Sequence, residues 1–204
     1  MGTFVLRFVV ILALLWALPV FAQPPAWIAA LQQGGHVVVL RHGATYTDQA
    51  DTNPLDPKDT AHQRQLNDSG RALAKSMGET MHKLKIPVGK VQTSVFQRAV
   101  DTGTLLGFGE VSTTVDIAEG GLVVSPNENN RRAAALRTLA GKSPPVGTNV
   151  ILVTHKPNIM DAFGKDWFDV REGEASIFKP DGKGGYTLVG RVQAVDWARL
   201  AATP

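Results

Sequence analysis

The sequence contains no cysteine. A chain without cysteine forms no disulfide bond, and it has no thiolate to act as a nucleophile or a metal ligand. Disulfide frameworks, cysteine-dependent catalysis and thiolate zinc sites are therefore excluded. The 204 residues suit one domain, and the packing of its core must supply the stability.

The sequence also lacks any run of lysine or arginine, and its formal net charge is only +3. Nucleic-acid-binding proteins usually carry clustered basic residues, so this composition argues against a nucleic-acid partner. A mild positive charge is compatible with an anionic substrate.

Long apolar segments are scarce, and the one present spans residues 8–18. Arg7 precedes it, Pro19 follows it, and small residues stand at the −3 and −1 positions before Gln23. This layout predicts a signal peptide over residues 1–22, followed by a mature domain over residues 23–204. The alternative is a retained anchor, but the run is shorter than the roughly 20 residues that span a bilayer. We expect a periplasmic or secreted protein that leaves the membrane after cleavage.

Strand-like and helix-like segments alternate through the mature region. Short β-branched or apolar runs predict strands at residues 36–40, 91–94, 113–117 and 149–154, and helical patterns fall at residues 67–84, 96–106 and 130–140. Residues 175–178 and 186–192 flank a glycine-rich turn and predict a hairpin. This order indicates a single three-layer α/β domain, with a mostly parallel sheet flanked by helices and a C-terminal antiparallel hairpin.

A long polar segment, residues 48–65, follows the first predicted strand and shows no periodicity. Loops of this length in compact domains often carry function.

Histidine and arginine residues follow three of the predicted strands. Arg41 and His42 follow the first, Arg98 follows the second, and His155 follows the fourth. Ligands of open α/β sheets bind beyond the carboxyl ends of the strands. Arginine matches phosphate oxygens, and a neutral imidazole is a competent nucleophile. Together these residues predict phosphoryl transfer, and two arginines at one site disfavour a divalent metal.

Four segments resemble motifs of the histidine phosphatase superfamily, which includes phosphoglycerate mutases, acid phosphatases and phosphohistidine phosphatases. They are Leu-Arg-His-Gly at residues 40–43, the helix start at residues 66–74, residues 94–102, and Val-Thr-His at residues 153–155. The resemblance implies a phosphoglycerate mutase-like fold and a phosphohistidine formed on His42. It also implies that Arg41, Arg98 and His155 surround the phosphoryl group, with no metal and no cofactor.

The proton donor is less clear, because several acidic residues are available: Glu119, Glu128, Glu174, Asp48 and Asp51. Glu174 is favoured, since it opens a predicted strand near the expected site, although a solvated strand-end carboxylate fits the same pattern. Arg64 on the long loop could bind a second anionic group of the substrate or form a surface ion pair.

These features predict an exported phosphomonoesterase acting on a small phosphorylated substrate or a phosphoprotein. A mutase of the same superfamily is an alternative, although residues 44–49 lack the Asn and Gly-Trp stretch of phosphoglycerate mutases. A non-catalytic phosphoryl-binding protein is a second alternative. The sequence selects neither the physiological substrate nor the oligomeric state.

Overall fold

One mixed sheet of six strands forms the centre of the computed structural model, which describes residues 25–120 and 124–202. The strands are β1 Val37–Arg41, β2 Val88–Ser94, β3 Val111–Thr114, β4 Asn149–Thr154, β5 Ala175–Pro180 and β6 Tyr186–Val192. Their order across the sheet is β3-β2-β4-β1-β5-β6. The first four strands are parallel, while β5 and β6 form an antiparallel hairpin beside β1. The predicted sheet is confirmed.

Six α-helices lie in the same described ranges: α1 Ala26–Gln33, α2 Asp68–Lys83, α3 Gln97–Leu105, α4 Pro126–Ala140, α5 Lys156–Phe163 and α6 Ala194–Ala201. None of the described helices is both long enough and apolar enough to cross a membrane. The predicted signal peptide, residues 1–22, lies outside the described residues.

The helices cover both faces of the sheet because successive side chains of a strand point to opposite faces. Val38 and Leu40 of β1 pack in a core with residues of α1, α2, α3 and α6. Val37 and Val39 pack in a second core with residues of α4 and α5. Burial on both faces explains why β1 is apolar at four consecutive positions.

Side-chain caps determine where two of the helices begin. The Asn67 side chain accepts a hydrogen bond from the Gly70 amide at 2.8 Å, which starts α2 at the predicted position. Ser125 caps the Glu128 amide at 3.2 Å, so α4 begins at Pro126, four residues before the predicted start.

The third predicted strand, residues 113–117, is wrong in its C-terminal part. β3 ends at Thr114, whose Oγ1 accepts a hydrogen bond from the Asp116 amide at 3.2 Å. This local bond turns the chain into a short 3-10 helix, Val115–Ile117. The long loop at residues 48–65 contains one such turn, Thr60–His62.

β4 brings the candidate residues together, because it lies between β1 and β2. Arg41 pairs with Thr154, and Thr93 pairs with Val153. The carboxyl ends of three adjacent strands therefore meet at one edge of the sheet.

Candidate active site

His42 follows β1 directly, and its side chain is buried. Its Nδ1 lies 2.8 Å from the carbonyl oxygen of Gly43. A carbonyl oxygen only accepts hydrogen bonds, so Nδ1 carries the proton and Nε2 keeps its lone pair. Burial, followed by the charges of His155 and Arg98, holds the pKa of His42 well below 6.5. The imidazole is therefore neutral and has a free nucleophilic nitrogen.

Two glycines allow the turn after His42 to pack against the start of α2. A Cβ atom on Gly70 would lie 2.1 Å from the carbonyl oxygen of Ala44, and one on Gly43 would lie 2.8 Å from that of Gly70. Both contacts are with backbone atoms, so no side chain fits at either position. The Gly43 amide also donates to Thr102 Oγ1 at 3.1 Å, which ties the turn to α3.

His155 follows β4, and its ring centroid lies 5.1 Å from that of His42. Its Nε2 is 2.6 Å from Ser94 Oγ, which also accepts a hydrogen bond from the Phe96 amide. We assign the ring proton to Nδ1, because this nitrogen faces the Glu119 carboxylate, which accepts hydrogen bonds; the Ser94 hydroxyl then donates to Nε2. Nδ1 lies 3.4 Å from Glu119 Oε1 and makes no hydrogen bond there.

Burial holds the pKa of His155 well below 6.5, and the charges of Arg98, Arg64 and Arg41 lower it further. His155 is therefore a neutral ring that presents an N–H group from Nδ1.

Arg98 belongs to α3 and is fully buried. One guanidinium nitrogen donates to Asp51 Oδ1 at 2.9 Å, and the other is bound to Glu119 Oε1. Its Cζ lies 4.7 Å from the centroid of the Phe96 ring. The long loop thus reaches the site through Asp51, a contact that the sequence did not reveal.

Arg41 ends β1, and its guanidinium is held by the segment that precedes β5. Nη1 donates to the carbonyl oxygen of Val170 at 2.8 Å, and Nη2 lies 3.3 Å from Glu172 Oε1. The Gly173 amide contacts the carbonyl oxygens of both Arg41 and His42 at 3.2 Å. This segment therefore holds the start of the turn after His42 in place.

The fold of this chain is similar to that of many solved structures. No family model and no curated protein matches the chain. The protein histidine phosphatase SixA, solved in complex with tungstate, aligns with 79% of this chain and 98% of its own at 18% identity, with a TM-score of 0.56. A mycobacterial glucosyl-3-phosphoglycerate phosphatase with inorganic phosphate aligns over 79% and 99% at 18% identity, with a TM-score of 0.55. The chain has the histidine phosphatase fold.

A phosphoserine phosphatase mutant from Entamoeba histolytica, solved with phosphoserine, shares the same fold. It is 12% identical, covers 78% of this chain and 97% of its own, and gives a TM-score of 0.53. The fold that the sequence motifs implied is confirmed by these structures.

In this histidine phosphatase fold, the carboxylate of Glu174, the proton donor that the sequence favoured, contacts two arginine residues. Its buried carboxylate is bound to Arg191 Nε and accepts a hydrogen bond from the Arg171 amide at 3.0 Å. Glu119 instead lies between Arg98 and His155. The sequence favoured Glu174 because it opens a predicted strand, whereas Glu119 stands in a segment without a periodic pattern and carried no such signal.

The other acidic candidate outside the long loop, Glu128, lies near the start of α4 and pairs with Arg131 and Arg132. These two guanidinium groups lower its pKa to about 2.

Arg64 lies close enough to the site for its charge to lower the pKa values of Arg41 and His155. Its amide donates to Asp51 Oδ1 at 3.0 Å, and its buried Nε has no hydrogen-bond partner among the described residues. The structure therefore brings Arg64 to the same site as Arg41 and Arg98.

Across residues 25–120 and 124–202, no group of three or more His, Asp or Glu side chains is arranged to hold a metal ion. The positive charge at the site comes from arginine. The site can bind a phosphoryl group, present a neutral imidazole to it, and place a carboxyl group beside it.

Proposed function

We propose that this chain is an exported phosphomonoesterase that transfers the phosphoryl group of its substrate to Nε2 of His42 and then to water. The observation that carries this proposal is the hydrogen bond from His42 Nδ1 to the Gly43 carbonyl, which leaves Nε2 as a neutral nucleophile among arginine side chains. The three phosphatase structures with the same fold support the reaction class.

In the first step, the lone pair of His42 Nε2 attacks phosphorus, and the bond from phosphorus to the ester oxygen breaks. Arg41, Arg98 and the Nδ1–H of His155 stabilise the negative charge on the transferring oxygens. The leaving oxygen takes a proton from a carboxyl group, so the alcohol departs uncharged.

In the second step, a water molecule attacks the phosphorus of the phosphohistidine. The carboxyl group that gave up its proton in the first step, now a carboxylate, accepts a proton from this water. The bond between Nε2 and phosphorus breaks, and inorganic phosphate leaves.

We assign the proton donor to Glu119, because its Oε1 contacts Arg98 and lies 3.4 Å from His155 Nδ1. Glu174 is less suited, since Arg191 and the Arg171 amide occupy its two oxygens. The arginines supply the charge that a metal would otherwise provide, so the proposed reaction uses no metal and no cofactor.

The test is to trap the intermediate. Brief exposure to a phosphate ester labelled with radioactive phosphorus should leave label that acid removes and alkali does not. His42→Ala should abolish the label, whereas His82→Ala, a change at an exposed histidine of α2, should retain it. Label that survives acid would identify a serine or threonine ester and refute the assignment of His42. Activity should persist after prolonged chelation, and vanadate should inhibit it.

Export is proposed from the pattern of residues 1–22. A fusion of residues 1–27 to a reporter active only outside the cytoplasm should give signal, and the mature chain should begin near Gln23. A mature mass that still includes Met1 would favour the retained anchor.

A further inference from the structure

A small depression of about 90 Å³, open to solvent, adjoins the candidate active site. Its walls come from the long loop, the residues just before α3, the 3-10 helix after β3, Gly120, Val124 and Arg132 of α4. Most of the lining side chains are apolar, including Leu55, Phe96, Val115 and Val124. The volume is smaller than the roughly 300–1,000 Å³ of typical small-molecule sites, so it suits a short chain that leaves part of its surface in solvent.

Two residues belong both to this pocket and to the catalytic cluster. Glu119 lines the pocket while its Oε1 contacts Arg98 and lies 3.4 Å from His155 Nδ1. The Phe96 ring also lines the pocket, and its centroid lies 5.5 Å from that of His155. The pocket therefore begins at the carboxyl group that is placed to protonate the leaving oxygen.

The one basic residue in the pocket wall, Arg132, is already neutralised by partners. Its Nε donates to Glu128 at 2.8 Å, and its Nη1 donates to the carbonyl oxygens of Ala118 and Glu119, both at 3.2 Å. These bonds direct the guanidinium of Arg132 towards Glu128 and the backbone of the pocket wall.

The rim of the pocket carries apolar side chains that solvent reaches. Leu55 is 74% exposed and Val115 is 45% exposed. Covering them with an apolar group would be favourable, whereas a sugar or polyol would lose hydration without a matching set of hydrogen-bond partners.

We propose that this pocket binds the leaving group of the substrate, and that this group is an apolar alkyl or aryl chain attached to the ester oxygen. The inference rests on the proposed function, because it takes Glu119 as the group that faces the leaving oxygen. It assigns the substrate class as monophosphate esters of apolar alcohols or phenols.

The first test compares the turnover of methyl, butyl and hexyl phosphate. The polar control is the monophosphate of diethylene glycol, whose chain is as long as that of hexyl phosphate. We expect kcat/KM to rise along the alkyl series by up to about fourfold per methylene until the pocket is filled. The polar ester should resemble methyl phosphate. Equal kcat/KM for hexyl phosphate and the polar ester would overturn the inference.

A matched pair of variants locates the effect. Leu55→Asn should lower the ratio of hexyl to methyl kcat/KM severalfold. Leu188→Asn makes the same change at a partly exposed leucine of β6 and should leave the ratio unchanged. An unchanged ratio in Leu55→Asn would contradict the assigned location.

A binding experiment separates this inference from the proposed function. Methyl- and hexylphosphonate are not hydrolysed, and their affinities can be measured by calorimetry on the whole protein. Tighter binding of hexylphosphonate, lost in Leu55→Asn, would support the pocket even if no ester were turned over, in which case the proposed function alone would fail. Equal affinities would refute the pocket even in an active phosphatase.

Discussion

The Ser94 hydroxyl oxygen lies 2.6 Å from Nε2 of His155. Ser94 ends β2 and His155 follows β4, so this bond joins neighbouring strands at the edge of the sheet that carries the site. With the ring proton assigned to Nδ1, the nitrogen nearer to Glu119, the hydroxyl donates to Nε2 and holds this tautomer. Ser94 is thus a positioning residue for the second histidine.

We expect Ser94→Ala to reduce kcat by about tenfold, the cost of roughly 1–2 kcal/mol for one lost hydrogen bond. The ¹⁵N chemical shifts of His155 should show a shift of the neutral ring towards the Nε2–H tautomer. Ser176→Ala is the control, since this buried serine bonds Trp167 outside the site. An unchanged tautomer in Ser94→Ala would show that Ser94 does not set the ring proton.

The choice of proton donor can be tested with leaving groups of different basicity. Glu119→Gln should reduce kcat on an alkyl phosphate by about 10²–10⁴-fold, the usual value of general acid catalysis. A nitrophenyl ester, whose leaving group needs little protonation, should lose far less. Glu174→Gln should affect both esters equally. The opposite pattern would return the role of proton donor to Glu174.

Arg98 and Arg64 differ in their expected kinetic roles. Arg98→Ala should lower kcat about 10²–10³-fold on every ester, since it removes charge that stabilises the transition state. Arg64→Ala should mainly raise KM, and only for substrates with a second anionic group, because such binding is equal in the ground and transition states. Steady-state kinetics on an aryl phosphate and a bisphosphate measure both. An equal loss of kcat on the aryl phosphate would place Arg64 in the catalytic core.

Stability should depend on pH through His42 and His155. Both are buried with pKa values well below 6.5. As the pH falls below about 6.5, the unfolded chain binds protons at these rings while the folded protein does not, so stability falls. Each ring lowers the free energy of unfolding by at most about 1.4 kcal/mol for each pH unit of acidification, until the pH reaches the pKa of that ring in the folded protein. Above about 6.5 this contribution is constant.

Urea unfolding at pH 5 and pH 7 measures the effect. His42→Gln should weaken the pH dependence, and His82→Gln, at an exposed histidine, should not. The same pH dependence in His42→Gln as in the parent protein would show that His42 is not held neutral by burial.

Removing the Arg191 side chain, which is 24% exposed, would leave the carboxylate of Glu174 buried without its ion-pair partner. We therefore expect the change to destabilise the fold. We expect Arg191→Met to lower the free energy of unfolding by about 3 kcal/mol, the lower end for a broken buried pair. Lys75→Met, in an exposed pair with Glu79, should have no measurable effect. If Arg191→Met lowered the free energy of unfolding no more than Lys75→Met does, this would show that water solvates the Glu174 carboxylate in place of Arg191.

The sequence predicted the sheet better than the helices. Residues 149–154 form a strand with the predicted bounds, because a β-branched run buried on both faces leaves a strong pattern. α1, α5 and α6 were not predicted, since each has only eight residues and covers little more than two turns. Periodicity needs a longer window to be visible.

The residues of the candidate site also differ in whether the sequence could predict them. His42, Arg98 and His155 could be found because each follows a strand, and parallel strands bring their carboxyl ends together. Glu119 and Asp51 could not be assigned, because they belong to segments without a repeating pattern. Their positions follow from contacts with Arg98, which exist only in three dimensions.

The place of β4 in the sheet has a consequence for how the protein acquires activity. β1 and β2 are made first, but they do not pair with each other; both pair with β4, which ends at Thr154. During synthesis the segments that carry His42 and Arg98 therefore lack a strand to pair with in common until more than 150 residues have been made. Long-range pairing of this kind slows folding. A chain truncated before β4 would lack His155 and the strand that joins the segments of His42 and Arg98, so it would not form the candidate site.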